Sequence, residues 1–183
     1  NNAAASSVGK MLIRLPLNRD IPLINIVRNE TQVETLKKLG AVHVLNSQSP
    51  SFAEELKSLA RTLNATLVLD AVTGSQSASL LDAAPPGSTL VAYARLSGDP
   101  LKADPGSLIR EGKKVVGFQL ANWLQDKSLL FKLRFIGKVK KALDSELASA
   151  VNRSYPMERA EEAIAYYREH MSDGKIVLQI GSL

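Results

Sequence analysis

The chain has 183 residues, 45% of them apolar and 22% charged, a globular composition long enough to bury a core. It has no cysteine, which excludes disulfides, thiolate nucleophiles and cysteine-ligated zinc within it, and no run approaches the roughly 20 apolar residues of a membrane helix. The net charge is +5, and residues 101–146, with ten Lys/Arg against five Asp/Glu, carry the whole surplus.

In chain order, residues 3–9 are Ala-Ala-Ala-Ser-Ser-Val-Gly, leading into a helix that begins at Lys10-Met11-Leu12-Ile13. Tiny side chains before a helix N-terminus let backbone N–H groups approach an anion, as in a phosphate-binding turn. They also suit close packing at a plain helix start. Gly9-Lys10 is followed by Met11, so the hydroxyl that a nucleoside triphosphatase uses to hold magnesium is missing. A phosphate-binding turn follows a strand, and here the sequence starts at the turn. The expected sheet therefore has an open slot at its centre, and a preceding segment is expected.

Residues 23–27 form a β-branched run that ends at Arg28. Asn29 with Gln32 makes a capping-box pattern before Val33, Leu36 and Leu39, and Gly40 stands at a left-handed C-cap position. Residues 42–45 are the next strand. Ser51 with Glu54 repeats the capping pattern ahead of Leu56, Leu59 and Leu63. A strand over residues 66–69 ends at Asp70, and a Ser-rich helix with Leu80 and Leu81 stops at Pro85-Pro86-Gly87. Strands follow at residues 89–93 and 114–118, separated by a loop over residues 96–112 with one short helical turn. The segment 127–147 places Leu133, Ile136, Val139, Leu143 and Leu147 on one helix face, with a basic remainder. That basic face fits an acidic partner, a nucleic acid or a membrane surface, but an amphipathic helix with a solvated side accounts for it more simply. Pro156 fits a helix N1 position, and residues 175–180 form a last strand.

Strands alternating with helices imply an α/β fold, a doubly wound parallel sheet of right-handed crossovers. Arg28 lies 19 residues past Gly9, where a dinucleotide fold places an acid for the ribose 2′-hydroxyl or an arginine for a 2′-phosphate. A guanidinium there favours NADP(H) over NAD(H). A solvated strand-end arginine is the plainer alternative. His43 and His170 have no ligand-spaced partners and read as structural, and no metal site is expected.

Several stretches together resemble the cofactor domain of the medium-chain dehydrogenases/reductases, in the branch of zinc-independent quinone oxidoreductases and 2-enoyl thioester reductases. They are Asn2-Ala3-Ala4-Ala5-Ser6-Ser7-Val8-Gly9, Ile24-Asn25-Ile26-Val27-Arg28, Leu39-Gly40-Ala41-Val42-His43-Val44-Leu45 and Leu69-Asp70-Ala71-Val72-Thr73-Gly74. Gly87-Ser88-Thr89-Leu90-Val91-Ala92-Tyr93, Val116-Gly117-Phe118, Tyr155-Pro156-Met157 and Gly174-Lys175-Ile176-Val177-Leu178 complete them, in family order.

The resemblance implies a Rossmann-like domain over residues 1–153. It also implies a C-terminal helix and lone strand, residues 154–183, returning to a catalytic domain that would precede Asn1. The backbone around Ser6, Ser7 and Val8 would hold the pyrophosphate, and Arg28 the 2′-phosphate, with Asn46 and Ser47 beside the adenosine. Ala71 and Val72 would face the adenine ribose and bridging phosphates. Tyr93, Ala94, Arg95 and Leu96 would line the nicotinamide pocket, and Phe118, Gln119 and Leu120 would offer backbone groups to the carboxamide. No catalytic residue is assigned within the chain. The cofactor is NADP(H), and the substrate a quinone, enone or 2-enoyl thioester. The strand near 115–118 would pair across a homodimer. Neither nucleic acid nor a membrane span is expected, and the location is cytoplasmic.

Three positions depart from the family pattern. Glu30 stands where the thioester reductases often have a second arginine, Thr73 replaces a frequent glycine, and Arg95 a small residue. Arg95 either meets the cofactor diphosphate or obstructs it. Thr73 and Arg95, with the few glycines of the turn and the catalytic domain that lies outside the chain, feed the alternative from another class, a nucleotide- or partner-binding module that has lost activity.

Overall fold

A computed structural model describes residues 1–17, 21–143, 145 and 147–181. Five short parallel strands alternate with helices: β1 Ile24–Val27, β2 His43–Asn46, β3 Leu67–Asp70, β4 Thr89–Ala92 and β5 Lys114–Gly117. β1 pairs with β2, and β3, β4 and β5 pair in that order, all parallel and in continuous register. The central slot is bridged by residues 1–4. Asn1 N donates to Ile24 O, Ile26 N to Asn1 O and Ala4 N to Ile26 O, while Asn2 N donates to Leu69 O on the other side. Asn1 and Asn2 thus carry extended pairing into the turn, which the small-residue run by itself did not show.

Helices α1 Ser7–Leu17 and α2 Glu30–Lys38 cover one face, and α3 Phe52–Thr62 and α4 Ser75–Ala83 the other. On the first face Ala4, Ala5 and Ile13 pack with Val27, Val33, Leu36 and Ala41. On the second, Ile24, Ile26, Leu45, Val68 and Leu90 meet Leu56, Ala60, Leu80, Leu81 and Ala83. Alternation along each strand sends neighbours to opposite faces, so Ile26 and Val27 serve different cores.

The α2 caps form as the sequence predicts. Asn29 Oδ1 accepts from Gln32 N at 2.9 Å, and Gly40, with φ +91°, lets Ala41 N return to Leu36 O at 3.0 Å. The Gln32 side chain reaches one residue further back than in a capping box: its Oε1 accepts Arg28 N at 3.0 Å, and its Nε2 donates to Ser172 Oγ at 3.1 Å. The second predicted capping box does not form. Ser51 adopts helical φ and ψ, and its hydroxyl donates to Glu55 Oε1 at 2.5 Å.

The region after β4 holds more helix than the sequence reading allows. α5, Pro105–Glu111, is capped by Asp104, whose Oδ2 accepts Ser107 N at 2.8 Å. α6, Leu120–Gln125, precedes α7, Leu129–Leu143. The covered side of α7 carries Phe135, Val139 and Ala142, whereas Leu133, Ile136 and Leu143 of the predicted apolar face are 60%, 50% and 51% exposed. Trp123 sits edge-on to Phe131 and Phe135, each at 5.6 Å between ring centres, and anchors α6 to α7.

Residues 175–179 are not a lone strand. β7, Lys175–Gln179, pairs in parallel with β6, Val151–Pro156, through α8, Ala160–Glu169; Pro156 closes β6 and is the N-cap, rather than N1, of the 3-10 turn Met157–Arg159 that leads into α8. This unit touches α1, where Arg14 Nη1 donates to Ala148 O at 2.7 Å and Lys10 Nζ to Ser172 O. Burial holds the Lys10 ammonium below its usual range, against the pull of Asp173.

Leu81 is 1% exposed in the core that β1 to β4 share with α3 and α4. Leu81→Ala is expected to lower unfolding free energy by about 2–5 kcal/mol, read as a fall in the urea midpoint at unchanged slope.

Candidate functional site

The residues singled out from sequence fall along one line, the carboxyl edge of the sheet. Arg28, Ser47, Ala71, Tyr93 and Phe118 are each the first residue past a strand, β1 to β5 in turn. The ladder carries on through three of them: Ser47 N donates to Val27 O, Tyr93 N to Asp70 O and Phe118 N to Ala92 O. The break in strand sequence, with residues 1–2 between β1 and β3, puts the small-residue turn at the middle of this edge. That is where an open α/β sheet has its crevice.

The turn is built for close approach. Ala3 takes φ +51°, Ser6 N donates to Ala3 O at 2.9 Å, and Ser6 Oγ caps α1 by accepting Gly9 N at 3.1 Å. A Cβ on Gly9 would lie 2.6 Å from Ala4 Cα and collide with the Ala4 carbonyl. Glycine is required here by contact, the Ala4 side being fully buried. With Gly9 N–H satisfied, Ser7 and Val8 N–H groups have no acceptor among the described residues and open the α1 N-terminus.

Behind the turn lies a buried carboxylate the sequence reading did not single out. Asp70 is 0% exposed, and its Oδ1 accepts Asn2 Nδ2 at 2.6 Å and the Val72 and Thr73 N–H groups at 2.9 Å each. Its Oδ2 accepts Ser77 Oγ at 2.5 Å. Asn2 Oδ1 in turn accepts Ala71 N at 2.7 Å. The N–H groups of Ala71 and Val72 are therefore spent inside the protein. Ala71 is buried, which leaves the half-exposed Val72 side chain as the reachable part of this turn.

Asn46 is committed too, with Nδ2 on Glu30 Oε1 at 2.7 Å and Oδ1 accepting Gln48 N at 3.0 Å. Glu30 is thereby held by Asn46 and makes no ion pair with Arg28 within 4.0 Å. Among the described residues the exposed Arg28 guanidinium has no partner at all, only its backbone N–H being engaged. Ala94 is half-buried beside Tyr93, and Leu96, 67% exposed, ties its N–H to Ala71 O. Phe118, Gln119 and Leu120 are all exposed at the far end of the edge.

The two odd side chains are absorbed by the loop after β4. Thr73, at φ +67°, donates its hydroxyl to Val72 O at 2.6 Å and Asp99 O at 3.0 Å and lies 3.2 Å from Ser97 Oγ. Arg95 folds back on the same loop, Nε donating to Asp99 O at 3.2 Å and Nη2 to Gly98 O. His170 stacks on Tyr166 at 3.9 Å between ring centres, and the His43 backbone carbonyl accepts Asn25 Nδ2.

Residues 7–133 match the family model described as zinc-binding dehydrogenase. The chain belongs to this family, in the medium-chain dehydrogenase/reductase superfamily. Within it, the chain corresponds to the cofactor-binding domain of the zinc-independent branch. Over 132 residues it is 33% identical to the mitochondrial enoyl-[acyl-carrier-protein] reductase of Bos taurus, covering 69% of this chain and 35% of that protein. A crystal structure from Mesorhizobium loti, provisionally assigned as an NADPH:quinone reductase, superposes with TM-score 0.79 at 30% identity, covering 99% of this chain and 52% of that one. The mitochondrial 2-enoyl thioester reductase heterodimer of Candida tropicalis shares the fold, with TM-score 0.76 at 19% identity over 92% of this chain and 50% of that one. The chain thus spans about a third of the curated enoyl reductases and half of the solved reductase chains. Among the described residues no helix is long and apolar enough to cross a membrane.

Substitutions at two positions test the geometry. Gly9→Ala is expected to cost about 1–3 kcal/mol by overpacking, seen in thermal unfolding. Thr73→Ala keeps the left-handed backbone but loses the hydroxyl's bonds, for an expected loss of about 1–2 kcal/mol, whereas Thr73→Ser should lose less.

Proposed function

We propose that the chain is the NADPH-binding portion of a zinc-independent oxidoreductase that passes hydride to a quinone, an enone or a 2-enoyl thioester. The observation that carries this is the Arg28 guanidinium, unpartnered among the described residues, on the same sheet edge as a turn with two N–H groups equally free and no room for a Cβ at Gly9. One feature offers fixed donors to a phosphate dianion, and the other cradles a diphosphate. Residues and cofactor therefore fit.

On this reading the N–H groups of Ser7 and Val8, at the α1 N-terminus, hold the pyrophosphate with Ser6 setting their direction. Arg28 takes the 2′-phosphate, and Asn46 and Ser47 flank the adenosine. Ala71 and Val72 form the floor under the central phosphates and ribose. Tyr93, Ala94, Arg95 and Leu96 line the nicotinamide side, where Phe118, Gln119 and Leu120 present backbone groups to the carboxamide. Bound nicotinamide supplies the hydride, while these residues supply orientation. A catalytic domain reached by residues 154–183 would polarise the substrate, with residues 1–153 as the nucleotide-binding unit.

The proposal extends to a homodimer through the open edge of β5, whose Val116 is 43% exposed. Pairing would cover that edge, and the Candida tropicalis relative is a heterodimer. A cytoplasmic location belongs to the same reading. The rival, an inactive binding module, loses two supports, because Thr73 and Arg95 are both satisfied within the loop.

Titration of the chain with NADPH and NADH by calorimetry tests this. NADPH is expected to bind at least tenfold more tightly, a difference of about 1.4 kcal/mol, and Arg28→Ala to abolish the preference. Equal affinity for both nucleotides, or none for either, would overturn it.

A further inference from the structure

α7 holds five Lys/Arg and no acid. Its covered side is Phe135, Val139 and Ala142, yet Leu129, Leu130, Leu133, Ile136 and Leu143 are 50–72% exposed. At 3.6 residues per turn, Leu143, Ile136, Leu129, Leu133 and Leu130 follow one another around the outer side, with only Lys140 and Gly137 between them. Lys141, Arg134 and Lys138 come next. A Cβ added to Gly137 would meet nothing within 4 Å, so this side is open. Two stripes, one aliphatic and one cationic, therefore run side by side along about 22 Å of helix.

Solvation accounts for the cationic stripe but not for the aliphatic one, whose side chains outnumber the apolar ones that α7 packs inward. Among the described residues no α7 cation forms an ion pair within 4.0 Å, which leaves their charge for an anionic partner. Side chains exposed to this extent form a ridge rather than line a groove. A ridge suits a soft, continuous surface better than a folded one. A lipid interface takes up the aliphatic stripe, while the long Lys and Arg stems reach out to the headgroup phosphates. Trp123, which holds α6 against α7 and lies beneath Lys127 Nζ at 5.2 Å, is the residue type favoured at headgroup depth.

We propose that α7 is an interfacial helix that lays the protein against an anionic bilayer, with the aliphatic stripe among the lipids and the Lys/Arg stripe on their phosphates. At 15 residues the helix suits lying on a bilayer and not crossing one. The role is separate from nucleotide binding and does not depend on the dinucleotide reading.

The test is co-sedimentation of the full chain with vesicles of phosphatidylcholine, alone or mixed equally with phosphatidylglycerol. The wild type is expected to bind the anionic vesicles at least tenfold more tightly than the neutral ones. Leu130→Gln with Leu133→Gln should weaken that binding about tenfold. Arg134→Gln, Lys138→Gln and Lys141→Gln together should weaken it about a hundredfold. Lys37→Gln, Lys38→Gln and Arg61→Gln, which remove the same charge from exposed positions of α2 and α3, should leave it within about threefold. Every variant lies on the surface and should keep the wild-type Tm. No vesicle binding by the wild type would overturn the proposal, as would equal weakening by the two charge sets or binding that survives the leucine changes. Self-association, or retention on immobilised polyglutamate, without vesicle binding would assign the stripes to a second copy or to an acidic protein and overturn it too.

Discussion

The carboxyl edge of this sheet hangs on one buried carboxylate. Asp70 makes no ion pair within 4.0 Å among the described residues and is held by four donors from three separate segments: Asn2 ahead of the phosphate turn, the Val72 and Thr73 amides, and Ser77 on α4. A charge taken out of water is tolerated only when its lone pairs are filled, and here they are filled by the groups that need placing. The same interaction that solvates Asp70 therefore fixes where the central turn meets the β3–α4 turn. Asn2 completes the loop by giving its oxygen to Ala71 N, so two turns far apart in sequence share one network.

That arrangement explains why the loop after β4 can carry a strained threonine and a bulky arginine. Once the β3–α4 turn is fixed, Leu96 and Ser97 dock on its carbonyls, and Thr73 and Arg95 converge on Asp99 O. The strain of a β-branched residue at positive φ is offset locally, by bonds that a glycine could not make.

Much of the fold could be read from residues 23–118 because each element there announces itself locally. The β-branched runs, the Asn29 and Gln32 pair and Gly40 are short-range signals, and most of the candidate site residues that the family resemblance implies fall at strand ends. What stayed hidden depends on distant partners. Asn2 looks like one more small polar residue until Asp70, 68 positions later, comes beside it. β6, Val-Asn-Arg-Ser-Tyr-Pro, alternates weakly and ends in proline, and only pairing with β7 makes it a strand. Ser51 shows the limit of local rules: with Glu55 one turn on, its hydroxyl does better facing that carboxylate than capping the helix. On α7, an apolar stripe at helical spacing states which residues share a face, not which face is covered.

Gln32 adds to the ties that Lys10 and Arg14 make between the C-terminal unit and the rest of the fold. One end of its amide holds the Arg28 backbone and the other holds Ser172, in the turn that leads to β7. It acts as a rigid tie-rod between the end of β1 and the C-terminal unit. A tilt of that unit would be felt as a change in the aim of Arg28, with α2 as the fulcrum, so the two cannot drift separately without breaking the grip of Gln32.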